Sequence, residues 1–351
     1  MTASTAERRA SQRFTDSILA IADGIDPAGC RSMRIAVGEA GVGLRIASES
    51  LERQFAPAFR HLAGIAAGTD LSVTLWDAST AAPAVPRLPW QIEAYRPCGE
   101  IAGYSDGPCY LHFDAPMSAL TVFDTKRGAA AYINRKNTAL PGYEIAGPLR
   151  HLIHRFAIDR GMALVHAGAA ARSGRAALVT GAKGTGKSTT ILSCLAAGLD
   201  YLGDDRCLLA GGSEPRVYSI YSSAKIFADE LDRHPIAGLR EAALPPGPTD
   251  NDKSLIYVDR IAPSSMVRSA NLHCIISPVP TGEPKSRLVR RPGSEALRLL
   301  IAEIVGRSPV TAARSLSLLK QICAAVPFYR LEAGRHLPEV AETIARSLEP
   351  A

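Results

Sequence analysis

Apolar and polar positions alternate along the chain in three ways. Near the N-terminus Phe14, Ile18, Leu19 and Ile21 recur at helical spacing among charged residues, which predicts an amphipathic surface helix and not a secretory signal. The runs MRIAVG, LSVTLW, CYLHFDA and LTVFDT then read as strands. Between them, the proline-rich AAPAVPRLPWQ predicts an extended connector. DTKRGAAAYINRK fits a hairpin or a short helix, and its pattern does not choose between them. GPLRHLIHRFAIDRG predicts a helix with Pro148 in its first turn, Gly161 closing it, and Leu149, Leu152, Ile153 and Phe156 on one face.

Beyond that helix the pattern becomes an alternation of strands and helices. ALVHAGAAA and AALVT predict adjacent strands joined by the tight turn SGR, TTILSCLAAG a helix closed by Gly198, and YLGDD a short strand ending in two carboxylates. RCLLA, RVYSIYS, LIYVD and LHCIIS read as further strands, and SEALRLLIAEIVG and TAARSLSLLKQICAAV as helices. The fold expected is α/β in two units: a mixed α+β unit over residues 1–145 and a second unit over 146–351. The polar loop LPPGPTDNDKS, residues 244–254, suits a mobile segment over a site.

Composition narrows the classes. Of 351 residues 46% are hydrophobic and 21% charged, the balance of a soluble globular chain. The seven cysteines are scattered, without C-x-x-C or zinc-type spacing, which predicts reduced thiols and a cytoplasmic protein. No apolar run is long enough for a membrane span, so no membrane partner is expected. The net charge of +6 is mostly dispersed arginine. Its one cluster, Arg287, Arg290 and Arg291, reads more readily as a solvated face than as a nucleic-acid contact.

The strongest chemical signal is VTGAKGTGKSTT. Gly181, Gly186, Lys187 and Ser188 satisfy G-x-x-x-x-G-K-[ST], in which a glycine-rich backbone curls its N–H groups around phosphate oxygens. Lys187 adds a point charge, Ser188 a hydroxyl ligand for magnesium, and the helix that follows its positive dipole end. Gly181, Ala182, Lys183, Gly184, Thr185, Gly186, Lys187, Ser188 and Thr189 are therefore the expected nucleotide-binding residues, with Mg2+ beside the phosphates. Lys183 fits a phosphate contact or a water-facing side chain equally well. Such a loop needs a carboxylate for the metal, and Asp204 and Asp205 begin 16 residues past Ser188 at the end of the next strand. Ser188, Asp204 and Asp205 are the metal candidates; two acids also allow one to bind metal and the other to take a substrate proton.

Together, VHAGAAA, SGRAALVTGAKGTGKSTT and CLAAGLDYLGDDR resemble the core of the HPr kinase/phosphorylase family, and GTGKST and LGDD are similar to phosphoenolpyruvate carboxykinase, which shares that core. The resemblance covers residues 160–210, more loosely reaches about 335, and leaves the first 140 unaddressed. It implies that the second unit is a P-loop core of that type, beside the separate mixed α+β N-terminal domain read above, and an ATP-dependent kinase, with ATP and Mg2+ as cofactors, acting on a hydroxyl of a protein or peptide, in a homo-oligomer. It also implies that Lys187 contacts phosphate, that one aspartate holds metal while the other activates the acceptor, and that His166 lies beside the loop as a fourth catalytic residue. On its own residues, His166 reads more readily as a satisfied core histidine on an apolar strand. No clear match exists to the family's second signature, with its metal-binding glutamate, which leaves phosphorylase activity unsupported. Similar kinases that modify serine in precursor peptides make a peptide hydroxyl as suitable an acceptor as a protein one.

Other functions remain open. A small-metabolite kinase or an ATP-dependent switch without phosphotransfer would carry the same loop. A guanine switch and an ABC-type motor lack their N-K-x-D and LSGGQ-like signatures here. Lys225 and Ser222, in YSIYSSAKIF, fall where a substrate or phosphate contact would lie, though the motif fits an ordinary strand-to-helix turn better.

Overall fold

The computed structural model describes residues 5–65, 68–80, 82–105, 107–136, 140–246, 252–302, 304 and 309–349. Helix α1 (Thr5–Asp23) leads into β1 (Arg31–Val37), β2 (Ala40–Ile46), α2 (Glu49–Phe59) and β3 (Leu71–Asp77), then β4 (Cys109–Asp114), β5 (Ala119–Asp124) and β6 (Ala129–Asn134). These strands form one six-stranded mixed sheet in the order β1-β2-β3-β6-β5-β4. DTKRGAAAYINRK is the β5-β6 hairpin, and the proline-rich connector is irregular over its described residues 82–89. Helix α1 closes one face with Phe14, Ile18 and Leu19 against Trp76, Leu120 and Val122.

Helices α3 (Gly142–Ala146) and α4 (Arg150–Ile158) follow, then β7 (Met162–Val165), β8 (Gly168–Arg172), β9 (Arg175–Val179), α5 (Lys187–Ala196), β10 (Asp200–Gly203), β11 (Cys207–Ala210) and β12 (Arg216–Tyr218). Next come β13 (Ser223–Phe227), α6 (Leu239–Ala242), β14 (Lys253–Tyr257), α7 (Val258–Ile261), β15 (Ser269–Pro280), β16 (Arg287–Arg291), α8 (Gly293–Ala302), α9 (Pro309–Ala325), β17 (Phe328–Ala333) and α10 (Leu337–Ser347). A nine-stranded mixed sheet runs β10-β8-β9-β15-β12-β11-β7, with β17 on β15 and β16 on β17, while β13 and β14 pair as a separate ribbon.

The small side chains of β8 and β9 explain the layering. Ala170 and Ala177 turn to α5 and α10, against Ile191, Leu192, Val340 and Ile344. Ala169, Ala171 and Ala176 turn to α8 and α9, against Leu300, Leu319 and Ile322. Alternation along a strand sends successive residues to opposite faces, so this part of the sheet is covered by helices on both sides. The far face of the six-stranded sheet, α2, α4, β7, β11 and the ribbon share one apolar cluster that includes Phe55, Tyr132, Phe156, Leu164, Leu208 and Tyr257.

Three expectations need correction. ALVHAGAAA is two strands, because the chain breaks at His166 and Ala167, and β7 pairs with β11 while β8 pairs with β9 and β10. Pro148 precedes α4, whose N-cap is Leu149 at φ 58, and Gly161 lies two residues beyond the C-cap Asp159. RVYSIYS keeps strand pairing only over Arg216–Tyr218, and the rest crosses to the ribbon. All seven cysteines are free. Among the described residues no helix is long and apolar enough to cross a membrane.

Candidate functional site

Strand β8 is antiparallel to both its neighbours, so β9 and β10 end at the same edge of the sheet where β8 begins. In register, Gly168 faces Val179 and Ala169 faces Gly203. The glycine-rich loop, Asp204-Asp205 and His166 are therefore neighbours at one three-strand edge, however far apart they stand in the sequence. Gly168 permits the close approach: a Cβ there would meet Ile191 Cγ1 at 2.5 Å and the Asp204 carbonyl at 3.0 Å.

Strand β9 hands the chain to the loop through Thr180, whose N–H donates to the Ile276 carbonyl at 2.9 Å. Gly181, at φ 151, takes a conformation open chiefly to glycine, and a Cβ there would stand 2.9 Å from Thr185 Oγ1 and 3.1 Å from Ser277 Oγ. Gly186, at φ 90, is the N-cap of α5, so the helix starts at Lys187 itself. The buried Lys187 curls back over the loop and donates from Nζ to the Gly181 and Ala182 carbonyls at 2.6 and 3.2 Å. Thr185 Oγ1 donates to the Ala182 carbonyl at 2.9 Å. Lys183 and Gly184 are exposed at the loop tip, and Ser188 is half-buried in the first turn of α5. Helical geometry leaves the first N–H groups of that turn without intrahelical acceptors, as an anion site requires.

The two aspartates differ sharply. Asp204 is 2% exposed, and burial raises its pKa to about 6 despite the hydrogen bond that Oδ2 accepts from the Lys225 N–H at 3.0 Å. The Asp205 charge pushes the same way, whereas the Ser188 hydroxyl and Lys253 favour the ionised form. Its Oδ1 is buried without a hydrogen-bond partner. For Asp205, burial would also raise the pKa, but Arg206, His166 and Lys225 outweigh it and hold the carboxyl well below the usual range. His166 Nε2 lies 2.8 Å from Asp205 Oδ1, with the two side chains 27% and 30% exposed. His166 thus stands at a strand break with part of its ring open to solvent, which corrects its placement on an apolar strand. Among the described residues no three His, Cys, Asp or Glu side chains converge as a metal cage, so a cation here would need ligands outside that set.

Sequence reasoning missed several contributors. Glu230 accepts from Thr189 Oγ1 at 3.0 Å and pairs with Arg233 at 2.7 Å, tying the first turn of α5 to the segment after β13. Arg206 flanks Asp205 at 3.9 Å, and Lys253 acts on Asp204 from 49 positions away in sequence. An arginine after two aspartates was a readable signal; Glu230 and Lys253 stand in no motif. Lys225 enters the site from the middle of β13. Ser222 instead is buried against the end of α2, where its N–H donates to the Ala58 carbonyl at 2.9 Å and Oγ to the Pro57 carbonyl at 3.2 Å. Residues 247–251 of the loop read as a mobile cover lie outside the described residues. In the arginine cluster, Arg287 pairs with Glu332, Arg291 with Glu295 at 2.7 Å, and Arg290 lies 5.4 Å from the Tyr329 ring centroid, the arrangement of a solvated edge strand.

No protein-family model matches the chain, and no curated protein does. Among solved structures, the chain is similar to the Hpr(Ser) kinase/phosphatase from Coxiella burnetii, at 14% identity over 52% of this chain and 93% of that one, with a TM-score of 0.29. That is a remote structural relationship, and the functional reading rests on the chain's own residues.

Proposed function

We propose that the chain is an ATP-dependent phosphotransferase that moves the γ-phosphoryl group to a hydroxyl, serine by preference, of a protein or peptide. In this reading residues 146–351 are a phosphate-loop kinase unit of the HPr kinase/phosphoenolpyruvate carboxykinase type, and residues 1–145 a separate unit for substrate recognition or oligomer contact. The observation that carries the reading is the convergence, at one sheet edge, of a lysine-bearing glycine loop with two adjacent carboxylates whose ionisation is shifted in opposite directions.

The loop residues 181–189 and the N-terminus of α5 hold the triphosphate, and Lys187 exchanges its loop carbonyls for phosphate oxygens. Ser188 and Asp204 would hold magnesium: their donors are hard oxygens, and the buried, unpartnered Asp204 Oδ1 fits a cation. When bound there, magnesium supplies charge neutralisation to the phosphate oxygens. Asp205, oriented by His166 and Arg206 and more exposed than Asp204, faces the acceptor hydroxyl. The acceptor oxygen forms its bond to the γ-phosphorus as the bond to the β-γ bridging oxygen breaks, ADP leaves with that electron pair, and the hydroxyl proton passes to Asp205. A loose transition state places little demand on base strength, so a strongly ionised carboxylate serves by aligning the hydroxyl.

Calorimetric titration with ATP and magnesium, followed by mass spectrometry of candidate peptides incubated with the protein and ATP, tests the reading. Saturable binding and a gain of one phosphoryl group on a peptide hydroxyl are expected. A flat titration would overturn it, binding without transfer to any acceptor would favour a switch, and phosphorylated metabolites would redirect it to a small-molecule kinase.

A further inference from the structure

Where α3 and α4 cover the six-stranded sheet they leave a cleft whose polar groups the phosphate-loop site does not use. Cross-strand register sets His112, Thr121 and Tyr132 in one row over β4, β5 and β6, and alternation along β4 puts Asp114 on the same face. Glu144 of α3 and Arg150 and His151 of α4 line the cleft from the helix side. With its open mouth it measures about 280 Å³, and its inner end has room for about one water-sized group.

The polar atoms there are mostly acceptors. Tyr132 is 2% exposed, and its Oη is buried without a hydrogen-bond partner, as is His151 Nδ1. The His112 ring stacks on that of His151 with centroids 4.0 Å apart. His112 Nε2 lies 3.0 Å from the Cys98 carbonyl, which can only accept, so the proton sits on Nε2 and Nδ1 is bare. Burial, reinforced by the Arg150 charge, keeps both imidazoles neutral at neutral pH and lowers the His112 pKa to about 4. The charged side chains lining the cleft are then Asp114, Glu144 and Arg150. Glu144 and Arg150 form an ion pair, so the cleft carries one further negative charge, on Asp114, whose Oδ1 accepts from the Met117 N–H at 3.1 Å. Met117, Leu149 and Leu152 make its apolar wall.

We propose that this cleft binds a primary alkylammonium group, the end of a small amine or of a lysine side chain in a docked peptide. Three N–H donors answer Tyr132 Oη, His151 Nδ1 and the Asp114 carboxylate, and the positive charge balances Asp114. The ammonium head has the size of the inner end, and the alkyl stem lies along the apolar wall. An anion would meet the uncompensated carboxylate. A transition-metal ion fits no better, since among the described residues no three His, Cys, Asp or Glu side chains converge as ligands.

n-Butylammonium chloride is the probe, titrated by NMR into the full chain against potassium chloride at equal ionic strength, with Asp114→Asn and Tyr132→Phe beside wild type. A peptide with a single lysine and its norleucine counterpart form the second arm. Wild type should bind butylammonium saturably. Asp114→Asn should weaken binding about tenfold or more, the size of a lost charge-assisted contact, while its amide oxygen still accepts from the Met117 N–H and thermal unfolding changes little. Tyr132→Phe removes a hydroxyl that no group in the fold binds, so it should keep the fold and weaken binding by a few-fold. Binding of the lysine peptide above its norleucine counterpart identifies a peptide as the source, and binding of butylammonium alone identifies a free amine; either supports the site. No response beyond that to potassium chloride overturns it and leaves a cleft that holds water only. Equal affinity in wild type and both variants also overturns it, by placing the amine elsewhere. The titration needs no nucleotide, so its failure and that of the phosphotransfer reading are separate results.

Discussion

The site has two walls made in different ways. The loop wall is ten consecutive residues, Thr180 to Thr189, shaped by glycine conformations and a single helix start. The ribbon wall joins two strands 30 residues apart, at Ser223 and Lys253, and it hangs on other parts of the molecule. Tyr221 Oη donates to the Pro148 carbonyl at 2.8 Å, Ser223 Oγ to the Ala146 carbonyl, and Ser222 reaches α2. The loop wall is therefore a local device, and the ribbon wall is a tertiary one whose position depends on α2, α3 and the residues just before α4. In the proposed kinase reading, a chain built this way would alter its acceptor by shifting the ribbon while the loop keeps its shape.

The largest expected effect breaks the loop wall alone. Lys187→Ala removes an ammonium held over the loop by two carbonyls, so phosphotransfer should fall about a thousandfold, the scale of losing a phosphate-neutralising cation. Magnesium-ATP affinity should fall with it, while thermal unfolding changes little. Near-normal turnover and binding would mean that the loop does not hold the triphosphate.

The aspartates lie between the walls and should divide the next effect. Asp205→Asn should lower the turnover number about a hundredfold or more with magnesium-ATP affinity kept, as for a group that aligns and deprotonates the acceptor. Asp204→Asn should instead raise the magnesium concentration needed for half-maximal rate. A magnesium titration of both variants checks this; exchanged phenotypes would exchange the two roles, and unaffected rates in both would remove the carboxylates from the chemistry.

What the sequence made legible follows the same division. The loop, the helix after it and the Asp204-Asp205 strand end could be read as elements because each is a contiguous stretch with its own pattern. His166 was placed on the wrong kind of element because ALVHAGAAA is apolar throughout, and composition does not show that β7 leaves the neighbourhood of β8. Lys253 and Glu230 were illegible for a deeper reason: a charge beside a strand end means nothing until pairing brings it to a site. In the six-stranded sheet most strands were legible from alternation, but α2, whose apolar positions Leu51, Phe55 and Ala58 join the cluster beneath the ribbon, gave no chemical signal at all.

A stability measurement sharpens the contrast between the acids. With its folded-state pKa near 6 and an ordinary value of 3.8, Asp204 is costly to ionise inside the fold. Its contribution to stability is fully present below about pH 3.8 and is lost as pH rises through about 6. In magnesium-free buffer at pH 8, Asp204→Asn should therefore stabilise the protein by about 2 kcal/mol, since a tenfold change in proton affinity corresponds to about 1.4 kcal/mol and the amide keeps part of the burial cost. The gain should vanish near pH 4. Denaturant unfolding at both pH values measures it, and a destabilised variant at pH 8 would show that the buried carboxylate is supported by contacts that outweigh its desolvation.

The smallest effect tests whether the ribbon wall is truly tertiary. Ser222 lies one residue before β13 and three before Lys225, and its hydroxyl donates to Pro57 in α2. Ser222→Ala removes that bond and keeps the Ser222 N–H on the Ala58 carbonyl, so the cost in unfolding free energy should be about 1 kcal/mol. If α2 sets the ribbon's position, a small displacement is felt first at Lys225, not at the loop. Magnesium-ATP affinity should be unchanged while the turnover number of the proposed phosphotransfer falls by a few-fold, and an equal fall in both would mean that the two walls move as one body.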